Sequence, residues 1–164
     1  MQISKTNAMR ILDRHHISYT LHTYDNKDGQ IHGTAVAEKI GLNPETVFKT
    51  LVARSGNELF VYVIPVAEEL DLKKAAKAAG QKKIEMLPVK ELLPSTGYVR
   101  GGCSPVGMKK NYPTFIDISA ASQNTVAVSA GKVGMQMEVQ PAELASCTGA
   151  VFASLVKAPA EYEA

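Results

Sequence analysis

The chain has 164 residues, 45% of them hydrophobic, which is enough to bury one substantial core and makes a single domain over 1–164 the default expectation. Eighteen Lys and Arg against sixteen Asp and Glu leave a net charge of +2, too mild to announce nucleic-acid binding, so any RNA site must come from local clustering. Two cysteines without a CxxC pair, no leader of basic then apolar residues, and no apolar run near the ~20 residues that cross a bilayer point to a cytoplasmic protein with no membrane partner.

In chain order, Ala8, Met9, Ile11 and Leu12 lie at helical spacing behind Ser4 or Thr6 as N-cap, predicting an amphipathic helix over Thr6 to Arg14. Tyr19, Thr20, Thr23 and Tyr24 predict a strand from Ser18 to Tyr24, and Asp25 to Gly29 reads as a polar turn. Thr34 to Ile40 is a short helix stopped by Gly41 and followed by Pro44. Two apolar runs, Val47 to Ala53 and Leu59 to Ile64, flank Ser55-Gly56-Asn57 and predict a β-hairpin. Asp71 caps a helix running to Ala79, with Gly80 at its C-terminal cap. Ile84 to Leu87 is strand-like, and Pro88 to Leu93 makes one helical turn. The second half reads mainly as strands, at Gly97 to Arg100, Thr114 to Ser119, Thr125 to Ser129 and Met135 to Val139. A helix over Pro141 to Ser146 with Pro at its first position closes the chain. The order predicts an α/β (α+β) unit around a mixed, partly barrel-like sheet.

Period-two alternation sets Lys49 on one strand face with Val47 and Leu51, and Phe48, Thr50 and Val52 on the other. A lysine among apolar neighbours either reaches out to water or is desolvated, finding an anionic partner or a lowered pKa as catalytic lysines do. The loop Gly101 to Gly107 holds three glycines and a proline in seven residues. Such a backbone is either a tight connection or an amide-rich surface for an oxyanion or phosphate. Cys103 lies in that loop with no spaced basic partner, so it reads as a small loop residue rather than a nucleophile, and Cys147 reads as a helix residue. Lys73, Lys74, Lys77, Lys82 and Lys83 cluster, and Lys109 and Lys110 follow the glycine loop; they read as a solvated face or as weak tRNA phosphate contacts. Histidines at 15, 16, 22 and 32 show no ligand spacing, so no metal and no cofactor are expected.

The segments Leu21-His-Thr-Tyr24, Val47-Phe-Lys-Thr-Leu51, Leu72-Lys-Lys-Ala-Ala-Lys77, Ser95-Thr-Gly-Tyr98, Gly101-Gly-Cys-Ser-Pro-Val-Gly107 and Ser129-Ala-Gly-Lys-Val-Gly134 occur in order. Together they resemble the YbaK/EbsC family of bacterial Cys-tRNA(Pro) deacylases, kin to the editing domain of prolyl-tRNA synthetases. The resemblance implies a mixed sheet flanked by helices and a pocket for the aminoacyl-adenosine end of tRNA(Pro). It implies that Lys49 is catalytic and that Tyr24, Thr50, Gly101, Gly102, Pro105 and Ser129 bind substrate, with His32 where some relatives carry an aromatic residue. No pocket acid is carried over, since that position falls on Gln136 or on nothing. It further implies attack by the substrate's own thiol and a transient complex with prolyl-tRNA synthetase. The alternatives are a non-catalytic module binding the tRNA acceptor end and a deacylase for another amino acid.

Overall fold

The computed structural model describes residues 4–158. Helix α1 spans Asn7–Arg14. Thr6 caps it, its Oγ1 accepting from the Met9 amide at 3.2 Å and donating to the Ala130 carbonyl at 2.6 Å, so the helix is pinned to the strand region at its start. Strand β1 (Thr20–Thr23) and helix α2 (Gly33–Ile40) follow, and Gly41 ends α2 at φ 71, a conformation that suits glycine. The hairpin forms from β2 (Phe48–Ser55) and β3 (Glu58–Pro65) about Gly56 and Asn57. Helix α3 (Leu72–Ala79) starts where Asp71 accepts from the Lys73 and Lys74 amides and stops at Gly80.

Short β4 (Glu85–Met86) precedes helix α4 (Val89–Thr96), then come β5 (Thr114–Asp117), β6 (Val126–Ser129), β7 (Met135–Val139), α5 (Pro141–Thr148) and β8 (Val151–Ala153). They build two sheets. One is antiparallel, in the order β1-β7-β6; the other is mixed, in the order β4-β2-β3-β5-β8, with β5 parallel to both β3 and β8. A parallel bridge from Val47 to Ala127 ties β2 to β6 and joins the sheets. Phe48, Val63, Val128, Met137 and Leu144 share one apolar core, and α3 covers a second formed by Tyr62, Ile64, Ala76 and Leu155. This mixed α+β architecture is the expected one.

Four local expectations need correction. Gly97 to Arg100 is not a strand: Gly97 takes φ 87 to end α4, and the chain folds back on itself, the Tyr98 hydroxyl donating to the Val106 carbonyl and the Lys109 amide to the Thr96 carbonyl. The single turn expected at Pro88 to Leu93 instead extends to Thr96 with Pro94 inside it. The strand at Thr114 stops at Asp117, whose Oδ2 accepts from the Ser119 amide and caps a 3-10 turn while Oδ1 holds the Leu155 amide at 3.0 Å. Strand β8 is absent from the sequence-based expectation; it is three residues long, with Val151 exposed.

Candidate active site

The site lies where β2 changes partners. On the side away from β3, Val47, just before β2, bridges to Ala127 of β6, and Ala53 and Arg54 pair with β4; between them β2 runs close to β6 but pairs with no strand. Two connected chambers open there. The inner one, about 80 Å³, is lined in part by Val36, Val47, Phe48, Ser129 and Gln136. The outer one, about 770 Å³, includes His32, Met86, Val89, Leu92 and Arg100. Ile31, Gly33, Lys49, Thr50, Val66, Gly101 and Cys103 line both and so form the neck between them.

Lys49 is half-buried at this neck. Among the described residues it makes no ion pair, the salt bridges lying elsewhere. Burial pulls its amine below the ordinary lysine value, an effect opposed by the charges of Glu69 and then Glu68. Glu69 lines a third, open groove that also contains Lys49, Lys73 and Lys74. The amine therefore stands at the neck without a directly bonded counter-charge among the described residues.

The polar lining is incompletely satisfied. Among the described residues, the Thr50 hydroxyl and the Gln136 Oε1 are buried without hydrogen-bond partners, as is, outside the chamber walls, the Tyr24 hydroxyl. Uncommitted buried polar atoms are costly in a folded chain, and around a cavity they are the groups a ligand satisfies. Ser129 and Gln136 sit opposite each other in the β6–β7 ladder, so both reach the chamber from one sheet face. Ser129 Oγ accepts from the Gly131 amide at 3.1 Å, shaping the turn beyond it.

The neck is narrow because glycines let backbones close in. A Cβ on Gly33 would lie 2.3 Å from the Val66 Cβ, and one on Gly101, at φ 85, would lie 3.1 Å from the Ile31 Cδ1. Cys103 is buried at the neck, and desolvation pushes its thiol up to about 12, so it stays protonated at neutral pH and is a poor nucleophile. Cys147 is likewise raised by burial, to about 11.

Of the residues expected at the site, the structure gathers Lys49, Thr50, Gly101 and Ser129 around the chambers, with His32 exposed at the outer rim. Gly102 lies beside the turn at Lys132 and Val133 rather than in the lining. Pro105 lines a separate cavity of about 520 Å³ with Arg14, His15, Lys110 and Cys147. Tyr24 falls outside the walls of both chambers; its amide bonds to the Gly134 carbonyl at 2.9 Å, and Lys39 Nζ lies 5.8 Å from its ring centre. The lysines divide: Lys73 and Lys74 border the groove that contains Lys49, whereas Lys109 and Lys110 line a cavity beside Arg54 that does not include it. The Lys74 amine is committed to the Val156 carbonyl at 2.8 Å. Sequence reasoning named Gln136 only as the place where relatives carry an acid and Cys103 only as a loop residue, and left out Ile31, Gly33 and Val66; the alternation of β7, with Met135, Met137 and Val139 in the core, was the available signal for Gln136. Among the described residues no group of three His, Cys, Asp or Glu side chains is placed to hold a metal ion, and no helix is long and apolar enough to cross a membrane.

Residues 32–147 match a family model described as an aminoacyl-tRNA editing domain. A curated Enterococcus faecalis protein named "Putative Cys-tRNA(Pro)/Cys-tRNA(Cys) deacylase EbsC" is 46% identical over 153 residues, covering 92% of this chain and 93% of that one. A proline–tRNA ligase of Shouchella clausii is 29% identical over 98 residues, and the match spans 60% of this chain but 17% of the ligase. The fold is similar to the crystal structure of a "putative trans-editing enzyme for prolyl tRNA synthetase", with TM-score 0.79 and 22% identity over 94% of this chain and all of that one.

Proposed function

Because the chain belongs to the aminoacyl-tRNA editing domain family, we propose that it is a deacylase, one domain that hydrolyses Cys-tRNA(Pro) in the cytoplasm and so guards translational fidelity. The observation that carries this reading is the half-buried Lys49 amine, without an ion pair among the described residues, at a neck between a small chamber and a large one. A chamber of about 80 Å³ is too small for a nucleoside but takes a short side chain, and one of about 770 Å³ lies in the usual range for a bound small molecule. The ester bond of a terminal aminoacyl-adenosine then falls at the neck, beside Lys49, Thr50 and Gly101.

The reaction needs no protein nucleophile. The cysteinyl thiol, losing its proton, attacks its own ester carbonyl; a C–S bond forms, the C–O bond to the ribose breaks, and the ribose oxygen takes up a proton. Water then opens the cyclic thioester. Lys49 supplies positive charge to the developing oxyanion, the loop at Gly101 supplies main-chain donors, and the closed neck holds the thiol near the carbonyl. The protonated Cys103 fits this division of labour, since it does not compete with the substrate's thiol.

Lys73, with Lys77 on the same helix, supplies phosphate contacts on the Lys49 side of the molecule, while the Lys74 amine is held by the Val156 carbonyl. The +2 net charge gives little general affinity for RNA, so tRNA(Pro) selection falls to a transient complex with prolyl-tRNA synthetase. The test is a deacylation panel of Cys-, Ala-, Ser- and Pro-tRNA(Pro). Cysteinyl ester is expected to react at least about tenfold faster than seryl ester, the loss expected when an oriented attacking group is removed. Equal rates on the two would contradict thiol attack and favour an activated water, and no release of cysteine at catalytic enzyme concentrations would favour a binding module.

A further inference from the structure

The main chain of β2 carries information beyond its side chains. Ser55 and Glu58 flank the two-residue turn and face each other, and in such a hairpin that pair exchanges both main-chain hydrogen bonds. Counting towards the start of the strand by twos, Ala53, Leu51 and Lys49 turn their amides and carbonyls toward β3, whereas Arg54, Val52 and Thr50 turn theirs away. An independent bond checks this parity: from the β4 side, the Leu87 amide donates to the Val52 carbonyl at 3.0 Å. Beyond Leu87 the chain enters Pro88 and α4, and β6, though close by, bridges to this edge only at Val47, just before β2. The Thr50 amide and carbonyl therefore face the gap in which the two chambers meet. Neither has a main-chain partner on that side among the described residues, and the Thr50 hydroxyl is buried without one.

We infer that the main chain of Thr50 binds the α-aminoacyl group, pairing with it as with one residue of an added strand. An α-amino ester carries a donor ammonium and an acceptor carbonyl on adjacent carbons, the same order in which one residue of a strand presents its amide and carbonyl. The Thr50 carbonyl accepts from the ammonium, and the Thr50 amide donates to the ester carbonyl oxygen, where negative charge grows during attack. This pairing recognises α-aminoacyl esters as a class and leaves the choice among side chains to the inner chamber. It also supplies an acceptor for a cation that must enter a neck already holding Lys49. The inference rests on the deacylase reading and adds to it a site whose donor and acceptor belong to the backbone.

The test is an amide-to-ester exchange at Thr50, which deletes its N–H and weakens the acceptor before it while leaving every side chain in place, compared with the same exchange at Ala53, whose amide faces β3. At Thr50, kcat/KM on Cys-tRNA(Pro) is expected to fall about 10²-fold, as for loss of one oxyanion donor, while the melting temperature falls less than at Ala53, because only the weakened Lys49 carbonyl touches the ladder. At Ala53 the melting temperature is expected to fall and kcat/KM to stay within about twofold, because that bond belongs to the ladder. Binding of cysteinyl-adenosine joined by a non-hydrolysable amide is read in parallel and is expected to weaken about tenfold in the Thr50 variant. If the Thr50 exchange leaves rate and affinity unchanged, or acts as the Ala53 exchange does, the inference is overturned. If the wild type releases no cysteine while analogue affinity still depends on Thr50, the deacylase reading fails and the backbone pairing stands.

Discussion

Along one side of β2 every residue from Phe48 to Ser55 faces a residue of β3, whereas along the other the pairing breaks off between Val47 and Ala53. The paired side backs onto Val61, Tyr62, Val63 and Ile64, all fully buried. The broken side borders both chambers and an amine with no ion-pair partner among the described residues. On the proposed reading one strand divides the work: its continuous ladder holds the fold, and its interrupted edge leaves groups for a ligand. Substitutions on the two sides are expected to move different observables, stability on the first and turnover on the second.

The largest effect is expected at the broken side. Lys49→Met should lower kcat/KM for Cys-tRNA(Pro) by at least about 10²-fold, as for loss of a charge that stabilises an oxyanion. Its melting temperature should hold or rise, because a half-buried unpaired ammonium is itself a cost to folding. The pH dependence follows from the same burial. With the folded pKa below 10.5, the cation is lost as pH rises through that lowered value, and the enzyme-dependent rate should fall there. Between the lowered value and 10.5 the unfolded chain holds more protons at Lys49 than the folded one, so this group's contribution to stability grows with pH across that window.

Gly101→Ala sharpens the comparison at the neck. It forces a side chain into φ 85 and within 3.1 Å of Ile31, a strain of about 1–2 kcal/mol that the loop relieves only by moving. Kinetics should show about a tenfold loss of kcat/KM if roughly that energy is taken from positioning the reacting atoms.

The paired side should respond in the opposite manner. Tyr62→Phe removes a buried hydroxyl that donates to the Ala75 carbonyl at 2.8 Å. It should cost about 1 kcal/mol, or roughly 2–4 °C in melting temperature for a chain this long, with deacylation unchanged. A Tyr62→Phe enzyme that keeps its melting point and loses activity would break the division.

A smaller effect is expected on the three-stranded sheet. Glu138 accepts from Thr125 and lies 2.8 Å from the His22 Nε2; the Thr125 bond, then His22, holds its carboxyl below the ordinary 4.5. Its stabilising contribution is complete above 4.5 and is lost as pH falls through the lowered folded value. Glu138→Gln should therefore cost a few tenths to about 1 kcal/mol at neutral pH and flatten the acid limb of a stability-against-pH curve. Smallest of all, replacing Lys73 and Lys77 with alanine should reduce the slope of log kcat/KM against log salt by about one for each phosphate that is no longer neutralised.

How much of this was legible in the sequence depends on the range of the signal. The hairpin and the helices at 72–79 and 141–148 announce themselves through alternation, caps and glycine stops, which are local. The segment at 97–100 carries strand-like residues, but a helix-ending Gly97 and the tie from Tyr98 to Val106 override them. Strand β8 has no local signature, since three residues joining β5 in parallel gain their stability from the partner strand. At the site, alternation puts Lys49 and Thr50 on a strand, but the hollow beside them arises from where β4 ends and where β6 touches, neither of which is written in the sequence near β2. Pro105 shows the converse: it shares a loop with Gly101, yet the loop passes from one cavity to another between them.

The location of the site can be tested in a single titration. Amide chemical shifts are followed while cysteinyl-adenosine, joined through a non-hydrolysable amide, is added to the wild-type protein. The largest perturbations should cluster at Lys49, Thr50, Gly101 and Gln136, with Arg14, Lys110 and Cys147 unmoved. Perturbations centred on those last three residues, with the β2 gap silent, would contradict the assignment.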